Sequence, residues 1–208
     1  MPGSGVTSTF TLYTVIDLRR YPERMRVLML DAPKAMLDER RRLGLDRRDE
    51  MWDGLLHLVP LPDGPHQRFA SEFFFVIAPL VEAADLVPLF GTGLFRSDDD
   101  YRVPDQLYCA AEHVSERGAE RAELVVEIRS KDDETYDKID FYGRIGVREM
   151  IVAHPHDRRV ELFRALGGRL VPVQPGASGE LTSEVLGIVL RTVDGKLEIA
   201  WSEGSATV

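Results

Sequence analysis

Two acidic residues stand inside apolar segments of the sequence, one in residues 101–109 and one in residues 123–128. Alternation along a strand places Asp105 on the same face as Leu107, and it places Glu127 within an otherwise core-like run. A buried carboxylate is costly unless something compensates its charge. Because side chains on neighbouring strands face each other at roughly 5 Å, we expect Asp105 and Glu127 to bind one divalent cation between them.

The candidate ligands are hard oxygen donors, which suit Mg²⁺ or Mn²⁺. Asp105 and Glu127 supply carboxylates, and the Ile128 carbonyl is a candidate third ligand. Mg²⁺ keeps several waters when a protein binds it, and one such water can attack a phosphodiester. The pattern therefore predicts metal-dependent hydrolysis of a phosphate ester.

A lysine follows at a spacing that directs it to the same place. Lys138, Phe141, Tyr142 and Ile145 occupy positions i, i+3, i+4 and i+7 of a predicted helix, so Lys138 lies on the stripe that faces the sheet. An ammonium held there can orient the attacking water or stabilise the charge of the transition state. The alternative is a surface lysine whose stem covers apolar area.

Composition bounds the class of protein. The chain has 208 residues, 44% of them hydrophobic, which suits one sizeable domain over residues 10–208 behind a flexible tail at 1–9. Its single cysteine, Cys109, excludes an internal disulfide framework. We expect a cytoplasmic protein with no membrane partner, because the start lacks a secretory signal and no apolar stretch approaches the ~18 residues that a bilayer requires.

Charge is distributed unevenly along the chain. The formal net charge of -9 disfavours strong general binding to nucleic acid, because non-specific affinity for phosphate comes mainly from Lys and Arg. Arginines nevertheless cluster in residues 19–26 and 40–48. These clusters either form a local phosphate-binding surface or, as is usual for charge runs, a solvated helix face.

Hydrophobic periodicity and turn residues predict helices mixed with strands. Asp53-Gly54 between two apolar runs predicts a hairpin, and Gly167-Gly168 predicts a second one over 159–173. The remaining elements are predicted from their periods, with Pro79 expected to kink or end the second helix: helices at about 33–43, 65–84 and 135–145, strands near 86–90, 93–96, 101–109, 123–128 and 147–153, and one or two peripheral strands at the C-terminal end.

The order of these motifs resembles the Uma-type family of restriction endonucleases, within the PD-(D/E)XK nuclease superfamily. The resemblance covers roughly residues 50–165, and its motifs are Pro104-Asp105, then Glu127-Ile-Arg-Ser130, Asp137-Lys138, Tyr142, Gly146-Val147 and Pro155. It implies an α/β fold of the restriction-endonuclease-like type, with a mixed β-sheet flanked by helices and further N- and C-terminal strands. It also implies that Asp105 and Glu127 bind the metal, that the following helix contributes the lysine, and that the protein forms homodimers.

Two earlier residues agree with the resemblance. Glu50 and His66 fall where that family has an acid and a histidine at the start of its long helix. Glu50 is thus an auxiliary acid or a surface residue of the hairpin, and His66 is an auxiliary site residue or a structural histidine at the helix start. Both alternatives stay open on the sequence alone.

One position departs from the superfamily pattern. The superfamily places lysine two residues after the second acid, and Arg129 occupies that position here, on the predicted strand face of Glu127. An arginine cannot act as a general base at ordinary pH, although it can hold a phosphate in a bidentate contact. The resulting hypothesis is an Mg²⁺- or Mn²⁺-dependent endonuclease acting on DNA, with Arg129 as a phosphate contact. Its alternatives are an inactive nucleic-acid-binding or interaction protein on the same fold and a metal-dependent hydrolase of a small phosphorylated substrate.

Overall fold

The structure is a computed structural model that describes residues 27–29, 32–44, 46–59, 61–130 and 134–208. The predicted tail at 1–9 and the arginines at 19–26 lie outside these ranges. Strands in the described part form three sheets and helices cover the central one. The predicted α/β class with a mixed sheet is confirmed.

The central sheet has six strands. They are β4 (Val87–Phe90), β7 (Gln106–Cys109), β10 (Leu124–Ile128), β11 (Glu149–Ala153), β12 (Val160–Leu166) and β13 (Arg169–Pro172), in the order β13-β12-β11-β10-β7-β4. Strands β10 and β11 are parallel, and the other neighbours are antiparallel. All five residues of β10 are buried, as expected for a strand covered on both faces.

Helix α2 (Gly64–Ala83) covers one face of this sheet. Phe69, Phe73 and Ile77 recur at helical spacing and pack in one buried cluster with Val126 of β10. The helix continues through Pro79 to Ala83. Pro79 therefore does not end the helix, and that part of the prediction is wrong.

The opposite face of β10 packs against a shorter helix, α3 (Ile139–Arg144), which continues a 3-10 turn at Thr135–Lys138. Phe141 and Tyr142 of α3 share a buried cluster with Val125 of β10. The predicted helix over 135–145 is confirmed in place, although its first turn is a 3-10 turn. The two faces of β10 thus meet two different helices, and odd positions such as Val125 face α3.

A second sheet is built around the Asp53-Gly54 hairpin. Its strands, in the order β1-β3-β2-β6-β5-β9-β8, are β1 (Val27–Met29), β2 (Glu50–Trp52), β3 (Leu55–Leu58), β5 (Gly93–Ser97), β6 (Asp100–Arg102), β8 (Val114–Ser115) and β9 (Gly118–Ala119). Asp53 and Gly54 both have positive φ, at 48° and 87°, which is the backbone that a tight two-residue hairpin requires. The remaining helix of this region, α1 (Lys34–Leu43), precedes β2.

The predicted strand at 101–109 is wrong in one respect, because β6 ends at Arg102 and β7 begins only at Gln106. The break coincides with Pro104, which has no backbone N–H to donate to a neighbouring strand. Asp105 therefore lies in a bend at the entrance to β7 and not within a strand.

The C-terminal region is larger than the predicted one or two peripheral strands. It forms a four-stranded sheet of β14 (Leu181–Ser183), β15 (Ile188–Val193), β16 (Lys196–Trp201) and β17 (Gly204–Thr207). Ile188, Leu190 and Ile199 are fully buried in the same cluster as α2. Its strands therefore extend the main core, which periodicity over such short segments did not reveal.

Cys109 is buried in the core as a free thiol. Of the helices within the described ranges, none combines the length and the apolar character that crossing a bilayer would take.

Gly143 tests the packing of α3 on the sheet. A Cβ at this position would lie 2.9 Å from Leu170 N and 3.0 Å from Arg169 Cα, and backbone atoms cannot rotate away. We expect Gly143→Ala to lower the free energy of unfolding by about 1–3 kcal/mol in urea denaturation, despite the better helix propensity of alanine. Gly64→Ala is the control, because a Cβ at Gly64 meets nothing within 4 Å. Equal stability of the two variants would contradict this packing.

Candidate active site

Asp105 and Glu127 come together through the pairing of β7 with β10. Gln106 pairs with Val126 in this antiparallel register, so continuing it by one position sets residue 105 opposite residue 127. Asp105 Oδ2 accepts a hydrogen bond of 2.8 Å from the backbone N–H of Ile128. The bend at Pro104 therefore fixes the Asp105 carboxylate against the end of β10, as the sequence predicted for a pair of neighbouring acids.

Glu127 is buried on the α3 side of the sheet. Its Oε1 accepts a hydrogen bond of 2.5 Å from the Tyr142 hydroxyl, and Lys138 Nζ lies 3.2 Å from the same oxygen. Burial raises the pKa of Tyr142 well above its ordinary value, and the nearby carboxylates add to the rise, so its hydroxyl keeps the proton that it donates.

Lys138 closes the 3-10 turn before α3 and is buried, together with Phe141 and Tyr142 on the predicted stripe. Its ammonium lies 2.9 Å from Glu50 Oε1 as well as 3.2 Å from Glu127 Oε1. The interpretation of Lys138 as a surface residue is therefore wrong. The prediction that it faces the acids from the buried stripe agrees with this geometry, although Lys138 belongs to the 3-10 turn and not to α3.

Glu50 joins the same cluster from the β2–β3 hairpin, with only 1% of its surface exposed. Besides Lys138, it accepts hydrogen bonds from Val103 N (2.9 Å) and from Trp52 Nε1 (2.8 Å). The alternative of a surface residue of the hairpin is therefore wrong. Trp52 and Tyr142 were not predicted as site residues. Their spacing could have identified them, because Trp52 is at i+2 from Glu50 and Tyr142 is at i+4 from Lys138.

His66 lies beside Asp105 at the start of α2. The side chain of Asp63 caps this helix by accepting a hydrogen bond of 2.9 Å from His66 N. His66 Nε2 is 3.2 Å from Asp105 Oδ2, but the angle is not that of a hydrogen bond. Both imidazole nitrogens are buried without a hydrogen-bond partner among the described residues, so His66 is at once a helix-start residue and a neighbour of the site.

Arg129 follows β10, which ends at Ile128. The expectation that it shares the strand face of Glu127 stays a prediction. Its guanidinium carbon lies 4.6 Å from the centroid of the Tyr136 ring, a cation–π distance. Its backbone N–H donates to Ala153 O at 2.8 Å. Arg129 thus sits beside the turn that carries Lys138, and its contact with a substrate phosphate stays a prediction.

The arginines of α1 are engaged with neighbouring acids. Arg40 binds Asp49 with two hydrogen bonds of 2.7 and 2.9 Å, and Arg42 binds Glu39 at 2.8 and 2.6 Å. This arrangement favours the solvated helix face over a dedicated phosphate-binding surface, because the charges are already compensated locally.

Three carboxyl groups and the Lys138 ammonium lie at this site. Burial raises the pKa of Glu127 to about 8, and the Asp105 and Glu50 carboxylates add to the rise while Lys138 opposes it. Burial likewise raises the pKa of Asp105 against the hydrogen bond from Ile128 N. Burial alone would lower the pKa of Lys138, but the Glu127 and Glu50 carboxylates outweigh it and raise that pKa. Among the described residues, the Lys138 ammonium contacts Glu50 and Glu127, and a bound cation would add positive charge beside Asp105 and Glu127.

The donor set fits a hard divalent cation. Among the described residues, no group of three or more His, Cys, Asp or Glu side chains could hold a metal ion by itself. Two carboxylates with a backbone carbonyl and waters are instead the incomplete protein shell that Mg²⁺ accepts. Asp105 and Glu127, with the Ile128 carbonyl, are the residues that would hold it.

Comparisons with known proteins agree with this fold. The family model "Uma2: Putative restriction endonuclease" matches residues 37–193. A solved structure, described as a putative nuclease belonging to DUF820 from Anabaena variabilis, is similar with a TM-score of 0.53 and 17% identity, over 66% of this chain and 82% of that chain. No curated protein matches the chain.

The buried Glu127 carboxyl predicts a pH dependence of stability without metal. Its pKa is about 8 in the folded protein against 4.5 as the ordinary value. The stability that it contributes is therefore fully present below 4.5 and is lost as the pH rises through 8. In EDTA, we expect the melting temperature of Glu127→Gln to rise relative to the unmodified protein between about pH 5 and pH 8.5. Glu112→Gln, at an exposed position, is the control. A difference in melting temperature that stays constant across this pH range would contradict a raised pKa of the buried Glu127 carboxyl.

Proposed function

The chain belongs to the Uma2 family, and we propose that it is an Mg²⁺- or Mn²⁺-dependent endonuclease that hydrolyses DNA phosphodiester bonds. The observation that carries this proposal is the buried pair of Glu127 and Glu50 on the Lys138 ammonium, with the partly exposed Asp105 carboxylate beside the end of β10. Nothing in packing alone requires three acids here, since each costs free energy to bury. A divalent cation and an anionic phosphate would complete the charge balance.

The chain's own residues divide the work. Asp105 and Glu127 would hold the metal, and the hydrogen bond from Ile128 N keeps one Asp105 oxygen in place. When bound, the cation supplies Lewis-acid stabilisation of phosphate charge and a water of lowered pKa. The Tyr142 hydroxyl donates to Glu127 Oε1, the oxygen that Lys138 also contacts, so the carboxylate has little freedom to rotate.

Lys138 acts as a cation and not as a base. Its raised pKa keeps the ammonium protonated at neutral pH, where it can donate a hydrogen bond but cannot take a proton. A fixed ammonium beside the reacting phosphate stabilises charge that develops in the transition state, or orients the attacking water. This role fits the departure at Arg129, because the superfamily's lysine position is occupied by a residue that cannot be a base either.

DNA is the proposed substrate, with Arg129 as a phosphate contact and homodimers as the expected assembly. One observation favours a second candidate, a hydrolase of a small phosphorylated molecule. The chain carries a net charge of -9, and the α1 arginines are paired with acids. A small substrate needs no broad basic surface. An inactive nucleic-acid-binding protein is the remaining alternative.

Metal binding is tested by calorimetry with Mn²⁺. We expect Asp105→Asn and Glu127→Gln each to weaken Mn²⁺ binding by about tenfold or more, because each removes one of two charged ligands. Asp137→Asn is the matched control, since Asp137 is exposed in the same turn as Lys138. Unchanged affinity in both site variants would exclude this pair as the metal site.

Turnover is tested with plasmid, single-stranded DNA, RNA and nucleotides in Mg²⁺ or Mn²⁺. We expect Lys138→Met to reduce cleavage by ~10²-fold or more while Mn²⁺ still binds, because the stem remains and only the ammonium is lost. Lys34→Met is the control, at a side chain that is 86% exposed. A thermal melt of each variant separates lost chemistry from lost folding. Hydrolysis of nucleotides alone would favour the small-substrate candidate, and full activity of Lys138→Met would exclude its catalytic role.

A further inference from the structure

Two facing positions of the β2–β3 hairpin bind the two ends of the turn that carries Lys138. Glu50 and His57 are direct partners in the antiparallel register. Glu50 contacts Lys138 at 2.9 Å, and His57 Nδ1 lies 3.1 Å from Glu134 Oε2. Glu134 directly precedes the 3-10 turn, and Lys138 ends it. The hairpin therefore holds this turn at both ends.

Trp52 connects the two contacts on the hairpin side. Its ring stacks on the His57 imidazole with centroids 4.1 Å apart and planes within 13°. Its Nε1 donates to Glu50 Oε2 at 2.8 Å, and the guanidinium carbon of Arg102 lies 4.3 Å from its centroid. One packed indole thus fixes both His57 and Glu50 relative to each other.

His57 is too buried to meet a substrate. Only 5% of its surface is exposed, and its Nε2 atom is buried. The remaining nitrogen, Nδ1, faces the Glu134 carboxylate, so we assign the proton to Nδ1 as the donor of that hydrogen bond. Any effect of His57 on the reaction must therefore pass through Glu134 and the turn that follows it.

We propose that the contact between His57 and Glu134, here called the clasp, sets the position of the Lys138 ammonium between Glu127 and Glu50. His57 and Glu134 are then positioning residues, and the inference rests on the proposed function of Lys138. Without the clasp, the turn keeps its contacts at Lys138, the hydrogen bond from Tyr136 to Glu161 and the continuation into α3, but it loses the contact with the hairpin at its Glu134 end. A displacement of about 1 Å at a reacting group can cost about 100-fold in rate, so the clasp matters for turnover even though it touches no substrate.

The experiment compares His57→Phe and Glu134→Ala with matched controls. Phenylalanine keeps a ring to stack on Trp52 but cannot donate to Glu134, and Glu134→Ala removes the acceptor from a side chain that is 21% exposed. His113→Phe and Glu112→Ala, in the 3-10 turn Ala111–His113, are the controls. Hydrogen–deuterium exchange over residues 134–144 is measured without metal, and kcat and KM for plasmid cleavage are measured with it.

Both clasp variants are expected to speed exchange over 134–144 and to lower kcat by about tenfold to 100-fold, with KM and Mn²⁺ affinity nearly unchanged. The double variant should be no worse than either single one, because both remove the same contact. His57→Asn should restore part of kcat, since its amide can donate near the position of Nδ1.

Two results would overturn the clasp. One is exchange over 134–144 that matches the controls, and the other is faster exchange with kcat unchanged. If the unmodified protein cleaves no substrate, the proposed function fails, and the exchange data alone still decide whether the clasp holds the turn. Because Glu134 is at the edge of the cluster, Glu134→Ala keeps the test valid if His57→Phe does not fold.

Discussion

The ammonium of Lys138, buried between Glu50 and Glu127, is the interaction on which the rest of the site depends. It brings together three separate parts of the fold, because Glu50 comes from the hairpin sheet, Glu127 from the central sheet and Lys138 from the turn before α3. Removing the cation would leave two buried carboxylates uncompensated, and removing either acid would leave the cation with a single partner. Charge balance thus couples the position of the hairpin to that of α3.

Glu127 differs instructively from Glu149, a buried acid of the neighbouring strand β11. Glu149 accepts hydrogen bonds from Arg164 (2.9 Å), from Ser183 (2.5 Å) and from Glu184 N (2.9 Å), and so ties the C-terminal sheet to the central one. Its negative charge is matched by an arginine and by backbone donors. Glu127 instead shares the Lys138 ammonium with Glu50, and Asp105 lies nearby. A buried acid whose charge is matched by an arginine and by hydrogen-bond donors has a structural role. A buried acid that lacks such a match is a candidate for binding a cation.

Geometry also separates residues that can meet a substrate from those that support them. The Asp105 side chain is 19% exposed, so the site opens to solvent on the side of Asp105. Trp52 and His57 lie behind Glu50, where they stack on one another and contact the acid or the turn. Trp52 and His57 therefore support the charged residues Glu50 and Glu134 from behind, and neither side chain needs to contact a substrate.

The central elements and the two acids could be predicted from the sequence. Alternation and helical spacing are local properties, so they correctly predicted the Asp53-Gly54 hairpin, α2 and β10, and they placed Lys138 on the buried stripe with Tyr142. They could not show that Pro104 interrupts the strand before Asp105, or that the C-terminal strands join the main core. The burial of Glu50 against Lys138 and the contact of His57 with Glu134 became evident only from the folded arrangement. Those contacts join residues far apart in the chain, and their partners follow from how the sheets pack and not from any period within one segment.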